Sequence, residues 1–400
     1  MGDVIGERTG TTRAWLEVNL DAVVRNATRL TTAVRPARMI PMVKADAYGL
    51  GAPEIARALV PFDPYAFGVA TVEEGVALRG AGIESRIIVF SPCGATDGPT
   101  LVEHDLDASI LGMEGLERLT AIAAGQGARL GLHLEIDTGI GRAGLPASEC
   151  AEWAPRVAEL VAAGGRLETL YSHFHSSGTD DAATRHQLEQ FEFASRRLEA
   201  EGIKAPLRHI ANSDAIVRGR RYHLDLVRPG LYLYGGLRGR SSSRVVTDAD
   251  PVARVCARVL EVRALSPGST VSYGARYVTR RSERIATVAM GYASGLPWGV
   301  SNQGEMLVRG RRAPIRGAVC MDVSVIDVSR VSGVEAGDVI TVLGEDEGEE
   351  ITLNELARLD GTIEYEILTG LGRALPRVYR GDAERLEPEM AMSEANGRDR

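Results

Sequence analysis

The sequence predicts an α/β protein: an N-terminal (β/α)8 TIM-like barrel followed by a C-terminal mostly-β domain. Three observations carry that prediction. From about Arg38 to Gly236, short apolar runs alternate with longer amphipathic segments. Eight such runs can be counted, and eight repeats over roughly two hundred residues is the size of a closed barrel. After Gly236 the pattern changes to apolar alternation at short spacing with glycine turns, as in an all-β domain.

Taken in order, Leu16–Asn19 reads as an extra strand able to pair with the second domain. The barrel strands are expected at Met39–Lys44, Ala66–Ala70, Ile87–Phe90, Ala108–Leu111, Leu130–Ile136, Leu167–His173, Leu207–Ala211 and Leu224–Val227. Between them, Pro53–Val60, Val72–Ala81, Ala147–Ala163 and Thr184–Glu201 carry apolar residues at i, i+3, i+4. Strand–helix alternation implies right-handed crossovers and a parallel sheet, with a doubly wound open sheet as the alternative. Leu237–Pro251 is rich in Arg, Ser and Asp and reads as a linker. Strands follow at Val255–Val262, Ile285–Met290, Glu305–Val308, Val323–Val328 and Val339–Leu343, then helices at Leu353–Leu359 and Ile363–Leu368. The acidic run Glu345–Glu350 reads as a solvated loop. The implied domains are 14–247 and 248–388, with a polar tail over 389–400 expected to fray.

Composition narrows the class. A chain that is 44% hydrophobic and 25% charged is expected to be soluble and globular. A formal net charge of -8 weighs against nucleic-acid and anionic-membrane partners. Cys93, Cys150, Cys256 and Cys320 are scattered without a CxxC, so neither a metal site nor a disulfide framework is expected. Met1–Arg13 has no apolar core of a signal peptide, and no stretch is long and apolar enough to span a bilayer. A cytoplasmic location is the expectation.

Among 46 basic residues only Lys44 and Lys204 are lysines. Arg forms no Schiff base and does not readily lose its proton, whereas Lys does both. Lys204 lies in a polar turn. Lys44 ends the apolar run Met39-Ile40-Pro41-Met42-Val43. If that run is the first barrel strand, Lys44 sits on the catalytic rim, where desolvation turns an ammonium into a usable nucleophile or base.

Val43-Lys44-Ala45-Asp46-Ala47-Tyr48-Gly49-Leu50-Gly51 resembles the pyridoxal-phosphate attachment motif of the alanine racemase family. Four further matches follow in the family's order: Asp137–Gly144, Val227–Gly235, Val271–Ala275 and Cys320–Asp322. The resemblance implies a barrel plus a β domain, and the cofactor pyridoxal 5'-phosphate held covalently by Lys44. It implies two proton-transfer bases, Lys44 and Tyr273, on opposite faces of the substrate Cα, because racemisation removes a proton from one face and returns it to the other. His173 would support the phenolate of Tyr273, and Arg228 would donate to the cofactor ring nitrogen. Tyr48, Asn212, Ser213, Gly230, Leu231 and Tyr365 would hold the phosphate. Arg142 and Met321 would contact the substrate carboxylate, and Tyr292 would line the substrate channel. Tyr273, Tyr292 and Met321 belong to the second domain, so the family builds each site across a head-to-tail homodimer.

Three positions depart from the family. Glu135 stands where many members carry a carbamylated lysine, and supplies a carboxylate that can hold Arg142. His175 replaces a small residue and lies either on the strand face or on a loop beyond it. Gly361 stands where Asn is usual. The expected reaction is interconversion of L- and D-alanine, supplying D-alanine for peptidoglycan. A racemase for serine or a broader set of amino acids, a cofactor-handling barrel protein and a barrel decarboxylase are the rival readings.

Overall fold

The computed structural model describes residues 12–381, apart from 95, 126–129, 163–165, 204–206 and 238–245. Lys204, much of the connection after Leu237 and the tail 389–400 lie outside the described residues. The first described elements are strand β1 (Ala14–Asn19) and helix α1 (Leu20–Val34), whose first turn is capped by the Asn19 side chain accepting from the Ala22 N–H at 3.0 Å. Eight parallel strands follow: β2 (Arg38–Met39), β3 (Phe67–Val69), β4 (Ile87–Val89), β5 (Asp107–Ile110), β6 (Gly131–Asp137), β7 (Arg166–Tyr171), β8 (Leu207–His209) and β9 (Leu226–Val227). Their order is β2-β9-β8-β7-β6-β5-β4-β3, and a bridge between Met42 and Gly68 joins the two ends. The sheet is thus a barrel, not an open doubly wound sheet. Every residue of β3, β4 and β5 is buried, as expected of parallel strands covered on both faces. Each fully buried Ile, Leu or Phe, such as Phe67, Ile87 or Leu134, stabilises the fold by about 1.5–3 kcal/mol.

The first strand is shorter than Met39–Lys44. Continuous strand ends at Met39; past Pro41, which has no N–H to donate, only the Met42 bridge and the Val43 N–H bond to the Gly68 carbonyl at 2.8 Å carry the pairing on, leaving Lys44 just beyond it.

The second part of the chain is built on the long strand β10 (Ala253–Leu265), which pairs antiparallel with β11 (Glu283–Val288) and β12 (Val339–Asp346). Strand β1 lies between β10, antiparallel, and the last strand β13 (Arg377–Arg380), parallel. The first and last described strands are therefore stitched into one sheet. The acidic run Glu345–Glu350 forms a hairpin, with Glu345 opposite Glu350 and Asp346 opposite Glu349. Helices α2 (Leu353–Asp360) and α3 (Glu364–Ala374) lead back towards the barrel rim. No helix among the described residues is long and apolar enough to cross a membrane.

Candidate active site

Beyond β2 the chain makes one tight turn, Lys44–Tyr48, of unusual hand. Ala45, Asp46, Ala47 and Tyr48 have φ of 51°, 55°, 53° and 58°. Four consecutive L-residues in the left-handed region cost about 1–2 kcal/mol each, so tertiary contacts must hold the turn. Glu74 supplies one such contact: its two carboxylate oxygens accept from the N–H groups of Ala45 and Ala70, each at 2.7 Å. Asp46 supplies another, accepting from the Ala52 N–H at 2.7 Å and pairing with Arg377 at 2.5 Å. Gly49 closes the turn against α3, where a Cβ would stand 2.7 Å from the Cα of Gly372. Gly49→Ala is therefore expected to destabilise the fold by about 1–3 kcal/mol, through strain at positive φ, visible as a lowered Tm.

The turn delivers Lys44 into a pocket of about 380 Å³ at the C-terminal ends of the barrel strands. Fourteen residues line it, and nine belong to the expected set: Lys44, Tyr48, Arg142, His173, Asn212, Ser213, Arg228, Gly230 and, from α3, Tyr365. Leu231 is buried beside this group and does not line the pocket. The amine of Lys44 is shifted below its ordinary pKa by burial and by the positive charges of Arg142 and Arg228, against a weaker opposing pull from Glu74. A depressed pKa raises the share of neutral, nucleophilic amine at neutral pH.

Arg228 follows β9 and is almost fully buried. It donates to His209 Nδ1, to the Ser172 carbonyl at 2.7 Å and to His173 Nδ1 at 3.1 Å. Burial brings its pKa down to about 10, which still leaves a cation at pH 7. Among the described residues no carboxylate pairs with it within 4.0 Å, so a surface salt bridge is not its role. His173 is held neutral, first by burial and then by Arg228, Arg142 and Lys44.

The phosphate-site candidates meet at the ends of β8 and β9. Asn212 caps the short helix Ser213–Arg218 by accepting from the Ala215 N–H at 3.0 Å. Ser213 Oγ accepts from the N–H groups of Gly230 at 3.0 Å and Tyr232 at 3.3 Å. Tyr48 packs against Tyr234 and Tyr365, with ring centroids 5.0 and 5.6 Å apart, and burial raises its phenol pKa. Its hydroxyl stands where a Cβ on Gly230 would be, at 2.3 Å.

Glu135 lies at the pocket wall. One oxygen is 3.5 Å from Arg142 and the other accepts from the Tyr171 hydroxyl at 3.0 Å. Burial raises the pKa of Glu135, against the pull of Tyr171, Arg142 and Arg228. His175 lies on the loop beyond β7, exposed, with Nδ1 2.6 Å from Ser176 Oγ, and does not line the pocket.

Three expected site residues are absent from the pocket of their own chain. Tyr273 is 76% exposed, Tyr292 46% and Met321 53%. Tyr292 and Met321 are neighbours: the Tyr292 N–H donates to the Cys320 carbonyl at 3.0 Å and the Ala293 N–H to the Met321 carbonyl at 2.9 Å. Ser272, just before Tyr273, donates to the Ala318 carbonyl of the same segment at 2.6 Å. Conversely, Met42, Phe90, Tyr171 and Ile363 line the pocket and were not singled out from the sequence. Phe90 directly follows β4 and Tyr171 ends β7, and a place at the C-terminal end of a barrel strand is the signal that could have found them.

Comparison with known proteins agrees with this geometry. Residues 18–238 match the family described as alanine racemase, N-terminal domain, and residues 252–379 match alanine racemase, C-terminal domain. Alanine racemase 2 of Caldanaerobacter subterraneus is 36% identical over 367 residues, covering 91% of this chain and 94% of the relative. Alanine racemase of Carboxydothermus hydrogenoformans is 37% identical over 377 residues, covering 91% and 99%. The crystal structure of alanine racemase from D-cycloserine-producing Streptomyces lavendulae superposes with a TM-score of 0.87 at 35% identity, covering 93% of this chain and 98% of that one. Alanine racemase from Bartonella henselae, with covalently bound pyridoxal phosphate, gives 0.82 at 27%, covering 92% and 100%. With both halves of the chain matched in order, it belongs to the alanine racemase family, and the activity that membership carries is racemisation of alanine.

Proposed function

We propose that the chain interconverts L- and D-alanine with pyridoxal 5'-phosphate held on Lys44, by a two-base mechanism. The observation that carries this reading is the company Lys44 keeps: a desolvated amine beside Arg142 and Arg228, on a turn folded against its own preference. The donor set suits a phosphorylated aldehyde. Cations and phenols converge on the pocket, and Gly230 leaves space where a side chain would meet Tyr48. The covalently bound pyridoxal phosphate of the Bartonella henselae relative supports the same choice.

When bound, the cofactor withdraws electrons from the substrate Cα and makes its proton acidic. Everything else falls to the chain. Lys44 Nζ moves the proton on one face. Tyr273 of a second copy moves it on the other, supported by His173, since an ordinary phenol with a pKa of about 10 is a poor base at pH 7. Arg228 would donate to the ring nitrogen without protonating it, which would restrain the electron sink and disfavour transamination and decarboxylation. Tyr48, Asn212, Ser213, Gly230, the Leu231 backbone and Tyr365 hold the phosphate. Arg142, with Met321 of the second copy, orients the substrate carboxylate, and Tyr292 lines the channel. The exposure of Tyr273, Tyr292 and Met321 in the single chain supports a head-to-tail homodimer with shared sites. We place the domain division at 247/248, the enzyme in the cytoplasm, and its product in peptidoglycan synthesis.

Borohydride reduction of the cofactor-loaded protein tests the attachment: the label belongs on the Lys44 peptide, and a label on Lys204, or none, contradicts the reading. Glu135 keeps Arg142 in place, so Glu135→Ala is expected to raise KM for alanine about tenfold, the value of one charged hydrogen bond; an unchanged enzyme would remove that role. Tyr365 crowds the substrate side chain and favours a methyl group. Serine is therefore expected to racemise more slowly than alanine, by a modest factor of about 10–100, because size alone discriminates weakly. Faster turnover of L-serine would change the substrate assignment.

A further inference from the structure

Five consecutive elements of the barrel each contribute one polar side chain to a line through its buried interior. Asp107 Oδ2 is 3.1 Å from His133 Nε2. His133 Nδ1 is 2.8 Å from Thr169 Oγ1, and that oxygen is 3.0 Å from His209 Nε2. His209 Nδ1 then meets Arg228 NH1. His133, Thr169 and His209 have no exposed surface, and Asp107 is 6% exposed. We propose that this line is a tautomer relay in which Asp107, acting through His133, Thr169 and His209, is a positioning residue for Arg228.

The two ends of the line set its direction. Arginine has no acceptor, so Arg228 requires a lone pair on His209 Nδ1. The ring proton of His209 is then on Nε2 and points at Thr169. A hydroxyl has one proton, so Thr169 accepts from His209 and donates to His133 Nδ1. The proton of His133 is left on Nε2, aimed at Asp107, which as a carboxylate only accepts. With both imidazoles neutral, one orientation of the four bonds satisfies both ends. Reversed, the line would set N–H against N–H at Arg228 and lone pair against lone pair at Asp107, both in a dry interior.

The far end is built to stay anionic. Burial alone would raise the pKa of Asp107, but the His133 hydrogen bond and the charges of Arg86 and Arg166 hold it below the ordinary carboxylate value. Arg86 Nε is 3.5 Å from Asp107 and its NH1 is 2.8 Å from Glu168. Space is kept for the carboxylate by Gly131, where a Cβ would lie 2.2 Å from Asp107 Oδ1. The relay therefore fixes which atoms His209 shows to Arg228, the residue read above as facing the cofactor; the inference rests on that reading for its effect on turnover, not for the hydrogen-bond line itself.

The test uses the full chain labelled with 15N in its histidine rings, with and without pyridoxal phosphate. Long-range 1H–15N correlation is expected to show His133 and His209 protonated on Nε2 and bare on Nδ1. Asp107→Ala removes the terminal acceptor, and Thr169→Val cuts the middle link with almost no change of shape. Both are expected to move the His209 nitrogens towards averaged tautomers and to lower kcat on alanine about tenfold with KM unchanged, the usual scale for a residue acting through a ligand's neighbour. Thr169→Ser is expected to restore the His209 signature and most of the lost kcat. A proton on His209 Nδ1 in the unaltered chain, or His209 nitrogens unmoved in Thr169→Val, would overturn the relay. Altered nitrogens with unaltered kcat would overturn the positioning role. Failure of the unaltered chain to take up pyridoxal phosphate would instead overturn the reading of the site, while the nitrogen shifts without cofactor still decide the relay.

Discussion

Lys44→Arg is expected to lower alanine turnover at least about ten-thousandfold, the scale seen when a group that reacts covalently or moves the key proton is removed. The substitution keeps the positive charge and the long stem, so fold and pocket electrostatics should survive, with Tm close to that of the unaltered protein. What is lost is the chemistry. A guanidinium neither condenses with an aldehyde nor gives up its proton near neutral pH. Turnover and Tm measured together separate this from unfolding, and a variant that kept even a hundredth of its activity would remove Lys44 from the centre of the mechanism.

The second large effect concerns the shared site. Lys44→Ala and Tyr273→Phe are each expected to be inactive as pure proteins. In a head-to-tail dimer, each site takes Lys44 from one chain and Tyr273 from the other. Mixing the two variants under conditions that exchange subunits gives half of the dimers one intact site out of two. Activity should return to about a quarter of the unaltered level, as two-fold symmetry dictates. No recovery, with exchange demonstrated independently, would mean that Tyr273 does not reach the pocket of a second copy. Tyr273, Tyr292 and Met321 are exposed in the single chain, and the pocket around Lys44 holds none of them.

Much of the barrel was legible because its strands are short apolar runs between amphipathic helices, and that periodicity survives in the amino-acid order. The edges were less so. Continuous strand stops at Met39, just before Pro41 with its missing N–H, with a single bridge at Met42 beyond it, and Lys44 falls on a turn. The hand of that turn was not legible at all. Ala45, Asp46, Ala47 and Tyr48 have no common preference for positive φ; Glu74, Arg377 and the close approach of Gly372 impose it from distant parts of the chain. The motifs pointed to Lys44, Arg142, His173, Asn212, Ser213 and Arg228, and the structure brings these into one pocket. Phe90 and Tyr171 escaped because an aromatic at a strand end looks like core. Asp107, His133 and Thr169 escaped for a different reason: each shares its strand with other polar residues, such as Ser109, Glu135 and Glu168, and only the lateral pairing of β5, β6 and β7 shows which of them meet.

The central claim is that this pocket takes a proton from alanine Cα and returns it on either face. Incubating the cofactor-loaded enzyme with L-alanine, and separately with D-alanine, in deuterated water tests it most directly. Both enantiomers should acquire deuterium at Cα, each should yield the other, and Lys44→Arg should abolish exchange from both. Loss of the carboxylate as carbon dioxide, conversion to a keto acid, or no deuterium at Cα from either enantiomer would contradict it.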